Sequence, residues 1–79
     1  MKIKVYITLK EGVLDPQGKA VEHSLVSLGF KGASEVRIGK YITFNLDASS
    51  KEAAKSQADD MCQKLLANTT IESYRFEIE

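Results

Sequence analysis

The chain has 79 residues, enough for one domain, and a chain this short buries only about 60% of the surface its unfolded form exposes. Eleven basic residues balance eleven acidic ones, which excludes the overall basic surface that electrostatic nucleic-acid binding needs. The single cysteine, Cys62, excludes an internal disulfide and a Cys-x-x-Cys metal pair, and with no signal-peptide-like or membrane-length apolar run the expected location is the cytoplasm.

Residues 2–9 alternate strictly. Ile3, Val5, Ile7 and Leu9 share one face, and Lys2, Lys4, Tyr6 and Thr8 share the other, which predicts a half-buried strand. Gly12 closes it, with access to the positive φ that a tight exit often uses. Asp15 suits an N-cap and Pro16 suits the first helical position, where a missing N–H costs nothing. The first helix is expected over about 16–28, with Ala20, Val21, Ser24, Leu25 and Leu28 as its inner stripe and Gly29 as its C′ residue.

Residues 34–46 leave two readings open. Gly39-Lys40 resembles a two-residue hairpin turn, but a plain hairpin pairs apolar with polar residues on each face. Val36, Ile38, Ile42, Phe44 and Leu46 all share even parity. Either a bulge shifts the hairpin by one residue, or 34–46 is one long strand kinked near Gly39, whose overhanging half wants a partner. The second needs no extra device.

Ser49-Ser50-Lys51-Glu52 reads as a capping box with Ser49 as N-cap. The second helix is expected to reach about Ala67, with Ala54, Ala58, Met61, Cys62 and Leu65 inward and Asn68 as a left-handed C′ residue. The last strand covers about 72–78, with Tyr74, Phe76 and Ile78 inward. The implied fold is α+β: a two-layer α/β sandwich with an antiparallel sheet and both helices on one face. The order is β-α-β(β)-α-β, ferredoxin-like where the middle segment is a pair. The outer sheet face then carries Lys2, Lys4, Tyr6, Thr8, Arg37, Tyr41, Thr43, Asn45 and Arg75.

No residue set forms a recognisable catalytic centre. His23, the one histidine, has no positioned partner for acid–base work and reads as a surface or boundary residue. Cys62 on an apolar helix face reads as a small core residue. Asp15-Pro16-Gln17-Gly18 opens a helix, where phosphate can bind, but Asp15 already caps the free N–H groups and adds negative charge. The phosphate-loop glycine patterns are missing as well. Gly18 remains unexplained, because glycine in a first turn costs up to about 1 kcal/mol against alanine; it implies the close approach of another backbone or of a partner. Arg37-x-Gly39-Lys40 places two cations at a bend, either solvated or facing an anionic group on a partner. Tyr6 and Tyr41 weakly suggest base stacking, without the aromatic and glycine motif of RNA-binding ferredoxin-like domains.

Several runs, in order along nearly the whole chain, resemble one family. They are 9–18 (Leu-Lys-Glu-Gly-Val-Leu-Asp-Pro-Gln-Gly), Leu28-Gly29, 36–40 (Val-Arg-Ile-Gly-Lys), 61–68 from Met61-Cys62 to Asn68, and Ile71-Glu72-x-Tyr74. Together they are similar to PurS, the small-subunit family of phosphoribosylformylglycinamidine synthase. Thr69 stands where that family usually has proline. The resemblance implies an enzyme that makes formylglycinamidine ribonucleotide from formylglycinamide ribonucleotide with ATP, magnesium and glutamine-derived ammonia. It implies a large synthetase subunit and a glutaminase subunit as partners. It also implies a small subunit that binds no cofactor or metal itself, self-associates as a dimer or dimer of dimers, joins the other two, and helps shape the ammonia path. Partner contacts are expected at Asp15, Pro16, Gln17 and Gly18, and at Arg37, Gly39 and Lys40, with no nucleic acid or membrane involved. The alternative functions are a small-molecule regulatory module of ferredoxin-like type and a single-stranded RNA binder. Fold alone does not separate them.

Overall fold

The strictest alternation becomes the central strand. In a computed structural model describing residues 1–79, β1 (Lys2–Leu9) lies between β2 (Gly39–Asn45) and β3 (Glu72–Ile78), antiparallel to both. Val5 pairs with Ile42 on one side and Phe76 on the other, and Ile3 with Phe44 and Ile78, so one parity supplies one apolar face. Ile3, Val5 and Ile7 are fully buried there. The helix α2 (Lys51–Met61) lays Ala54 and Ala58 on them, followed by Cys62. These small side chains let the helix come close to the sheet.

Residues 34–46 hold one strand and no hairpin, but that strand spans only Gly39–Asn45, so neither the bulged hairpin nor the long kinked strand is what forms. Gly39 is not a turn residue. It faces Thr8, and a Cβ there would stand 2.6 Å from the Ile7 carbonyl oxygen. The stretch before it leaves the sheet, so Arg37 is not on the outer sheet face as expected.

The two ends of α2 also depart from expectation. Ser50, not Ser49, is the N-cap, its Oγ accepting from the Ala53 N–H at 3.1 Å; Glu52 falls one position short of the expected capping box. After Met61 the helix widens into a π turn, Cys62–Leu66, closed by the Ala67 N–H on the Cys62 carbonyl at 2.9 Å. A π turn holds an extra residue and so rotates the positions beyond it. Leu65, expected inward, is 83% exposed, and Ala67 takes the core position. Asn68 does not adopt positive φ. Instead its Oδ1 accepts from the Thr70 N–H and its carbonyl from the Ile71 and Glu72 N–H groups, an Asx-type turn.

The first helix, α1 (Pro16–Ser27), begins and ends as its sequence dictates. Asp15 caps it, and Gly29 at φ 101° closes it. The Phe30 N–H reaches the Leu25 carbonyl and the Gly29 N–H that of Val26, a Schellman ending. Its position is not the expected one. It makes only marginal contact with the sheet, and Val21 and Leu28 of its expected inner stripe remain exposed, as does Val26. The radius of gyration is 16.0 Å and the long axis 51 Å, against about 12 Å expected for the radius of gyration of a rounded 79-residue domain. α2 alone covers the sheet, and α1 stands beyond its Leu9/Gly39/Glu72 end.

Candidate functional site

That end of the sheet is where the glycine- and proline-bearing stretch and the Val36–Lys40 run meet. β1 delivers Lys10–Gly12, and Gly12 turns the chain at φ 86°. Asp15 is only 4% exposed. Its Oδ1 accepts from the Gly18 N–H at 2.8 Å, the expected cap, and its Oδ2 accepts from the Ile38 N–H at 2.7 Å. One carboxylate thus ties the start of α1 to the entry of β2. The Ile38 and Gly18 N–H groups stabilise the charged form and hold its pKa below the usual carboxylate value.

Gly18 now has its explanation. A Cβ there would stand 2.3 Å from the Val36 carbonyl oxygen and 2.9 Å from Asp15 Oδ2. The approaching backbone is this chain's own. Asp15 and Gly18 are buried inside the chain, so of the expected contact residues only Pro16, Gln17, Arg37, Gly39 and Lys40 offer surface. Arg37 donates to the Lys10 carbonyl at 3.1 Å. Lys40 lies 3.3 Å from Glu72, whose pKa is lowered by the Asn68 N–H and by Lys40.

One contact and one backbone conformation of this junction had no sequence signal beyond residue type. The Val36 N–H donates to Glu22 Oε1 at 3.3 Å, and Glu35 holds a positive φ of 54°, a conformation uncommon outside glycine. Together these segments border an open cleft of about 570 Å3 whose lining includes Glu11, Asp15, Glu22 and Glu35 together with Lys19 and Arg37.

The outer sheet face is a second surface. The Tyr6 and Tyr41 rings lie 5.1 Å apart, and the Arg75 guanidinium sits 3.9 Å over Tyr6, so cross-strand neighbours stack Tyr41, Tyr6 and Arg75 in a row. Lys4 pairs with Glu79 and Arg75 with Glu77, which neutralises most of the face. A third surface is apolar: a groove of about 510 Å3 between β2 and the π turn, lined by Ile42, Phe44, Met61, Leu65 and Leu66 with Asp60 and Lys64 at its rim. His23 is exposed, and burial raises the pKa of the Cys62 thiol.

The sequence matches the family profile described as PurS: Phosphoribosylformylglycinamidine (FGAM) synthase over residues 2–79. The chain belongs to the PurS family. The PurS subunit of Synechocystis is 53% identical over 75 residues, which cover 95% of this chain and 75% of that protein. The crystal structure of PurS from Bacillus subtilis superposes with a TM-score of 0.89 at 50% identity, covering 99% of this chain and 96% of the other. A chain in the structure of PurLQS from Thermotoga maritima gives a TM-score of 0.89 at 28% identity, covering 96% and 93%. PurS is an accessory subunit of FGAM synthase, an enzyme of purine biosynthesis, and family membership gives this chain that place. The α+β arrangement of three antiparallel strands and two helices is shared with these PurS structures.

Proposed function

We propose that this chain is the assembly subunit of FGAM synthase, joining a synthetase subunit and a glutaminase subunit and acting as a homo-oligomer in the cytoplasm. On this reading ATP and magnesium belong to the synthetase, the glutamine-cleaving nucleophile belongs to the glutaminase, and this chain holds the two so that ammonia passes between them. The observation that carries it is the likeness over nearly the whole chain to a subunit seen in a PurLQS structure. The shape supports it. A 51 Å molecule with an apolar helix stripe, an apolar groove and a tyrosine-bearing sheet face has several separate surfaces for partners. No helix is long and apolar enough to cross a membrane.

Pro16, Gln17, Arg37, Gly39 and Lys40 sit together at the junction and are the proposed contact residues for a partner subunit. The test is assembly by size. The synthetase, the glutaminase and this chain, mixed with the nucleotide and glutamine, should co-elute as one species. Two separate peaks for the large subunits, unchanged when this chain is added, would overturn the proposal.

A further inference from the structure

The sheet ends on β3, whose outer edge pairs with nothing in the chain. Lys2 and Glu79 exchange both backbone bonds, at 3.1 and 2.9 Å, and the β1–β3 register runs on from there without a skipped residue. Bonded and non-bonded pairs alternate in an antiparallel ladder, so Glu77, Arg75 and Ser73 bond β1. The N–H and C=O groups of Ile78, Phe76 and Tyr74 therefore point to the open side. Native edges are usually blunted by proline, a bulge or an inward-pointing charge. β3 has none of these: its register is continuous, and its inward residues are Tyr74, Phe76 and Ile78. Beside this edge lies a groove of about 500 Å3 between α2 and β3, whose lining includes Lys51, Lys55, Phe76 and Ile78.

The side chains of β3 say which strand fits that edge. Two antiparallel edges bond only where free backbone groups meet, so an even-numbered residue must stand opposite an even-numbered one. On the outer face Arg75 and Glu77 are exposed and pair with each other at 3.0 Å. Two copies of β3 centred on Arg75 or on Glu77 would set like charges directly opposite, which is destabilising. Centred on Phe76, they set Arg75 of each copy opposite Glu77 of the other. Phe76 then faces Phe76, Tyr74 faces Ile78, and every facing pair of free backbone groups is satisfied. The strand is its own complement in this one register, as a two-fold contact between identical chains requires. Pairing β3 with β2 of the next copy would instead leave an open edge at each end and grow chains.

We infer that β3 pairs antiparallel with β3 of a second copy about a two-fold axis at Phe76, joining two three-stranded sheets into one continuous sheet. This rests on the homo-oligomer in the function proposed above and gives it a surface. The outer face of the joint is held by reciprocal Arg75–Glu77 pairs. The inner face is held by Tyr74, Phe76 and Ile78 of both strands, at the groove beside α2.

The test uses the full chain, the variants Arg75→Glu and Glu77→Arg, and the variant carrying both changes. Both side chains are exposed, so circular dichroism should show all three variants folded. Each single change sets like charges opposite across the two-fold axis, and the combined change restores opposite ones. By light scattering each single variant should therefore fall to half the wild-type mass, and the combined variant should return to it. Amide hydrogen exchange followed by NMR reads the edge itself. The Tyr74, Phe76 and Ile78 amides should exchange at least tenfold more slowly in the wild type than in Arg75→Glu, while those of Arg75 or its replacement and of Glu77 stay protected by β1 in both. Unprotected Tyr74, Phe76 and Ile78 amides in the wild type would overturn the inference. So would a single variant with the wild-type mass, or a combined variant that stays at half of it. All of this is read on the chain without the other subunits, so failure here leaves the assembly role to be judged by its own assay.

Discussion

Gly18→Ala tests the clamp between α1 and β2. By helix propensity alone the change is favourable, since alanine in a helix gains up to about 1 kcal/mol over glycine. The structure reverses the sign. The new methyl would meet the Val36 carbonyl oxygen at 2.3 Å, and that atom is backbone. An ordinary contact begins near 3.4 Å, so Val36 must retreat by about 1 Å. Val36 is two residues from Ile38, whose N–H holds Asp15 Oδ2 at 2.7 Å, and such a retreat strains that bond as well. Overpacking a tight site costs about 1–3 kcal/mol, so after the propensity gain a net loss of up to about 2 kcal/mol is expected. For a domain of this size each kcal/mol lowers Tm by about 4–8 °C. Thermal and urea unfolding at one fixed protein concentration measure it, since self-association would otherwise shift the midpoint. A variant as stable as the wild type, or more so, would refute the reasoning and return Gly18 to the surface.

Asp15→Asn should change the acid limb of stability. The folded pKa of Asp15 is depressed, so its contribution is complete above its unfolded value near 3.9 and is lost as pH falls through the lower folded value; the variant should be less stable at neutral pH and show a shallower fall at acid pH, and parallel pH profiles would count against the clamp. Glu35→Val should destabilise by about 1–2 kcal/mol, because a β-branched side chain is poorly accommodated at φ 54°, whereas Glu35→Gly should be tolerated; urea midpoints of the pair decide it. Ala58→Leu should cost about 1–3 kcal/mol where α2 meets β1, since Ala58 is fully buried, and an unchanged midpoint would contradict that packing. Lys40→Glu sets a second carboxylate beside Glu72 in place of an ion pair whose lysine end is solvent-exposed, worth about 1 kcal/mol; the fold should survive while the three-subunit complex weakens, and co-elution like the wild type would remove Lys40 from the contact set.

The strands were legible because a period of two is a strong signal. Ile3, Val5 and Ile7 are the core, and Tyr74, Phe76 and Ile78 face inward beside them. The ends of β1 and α1 were legible too, since Gly12, Asp15 and Gly29 do what their residue types imply, whereas both expected caps of α2, Ser49 and Asn68, were misplaced. What was not legible depends on the third dimension. Nothing in the spacing of α1 says whether its stripe is covered by its own sheet or by another molecule, since an amphipathic helix looks the same in both cases. The π turn at Cys62–Leu66 breaks the 3.6-residue spacing that placed Leu65 inward. The even parity of Val36 and Ile38 suggested sheet, yet their N–H groups bond the carboxylates of Glu22 and Asp15 instead of a neighbouring strand. At the candidate site Gly18 was recognised as unusual but not assigned, because the carbonyl it accommodates lies 18 residues away in sequence.

The central claim, an assembly subunit that couples a glutaminase to a synthetase, is tested most directly by the source of nitrogen. Purified synthetase and glutaminase would be supplied with ATP, magnesium and formylglycinamide ribonucleotide, with either glutamine or ammonium as donor, and with or without this chain. The account predicts that glutamine-dependent amidine formation requires this chain and that ammonium-dependent formation by the synthetase proceeds without it. Equal glutamine-dependent rates with and without the chain would contradict it.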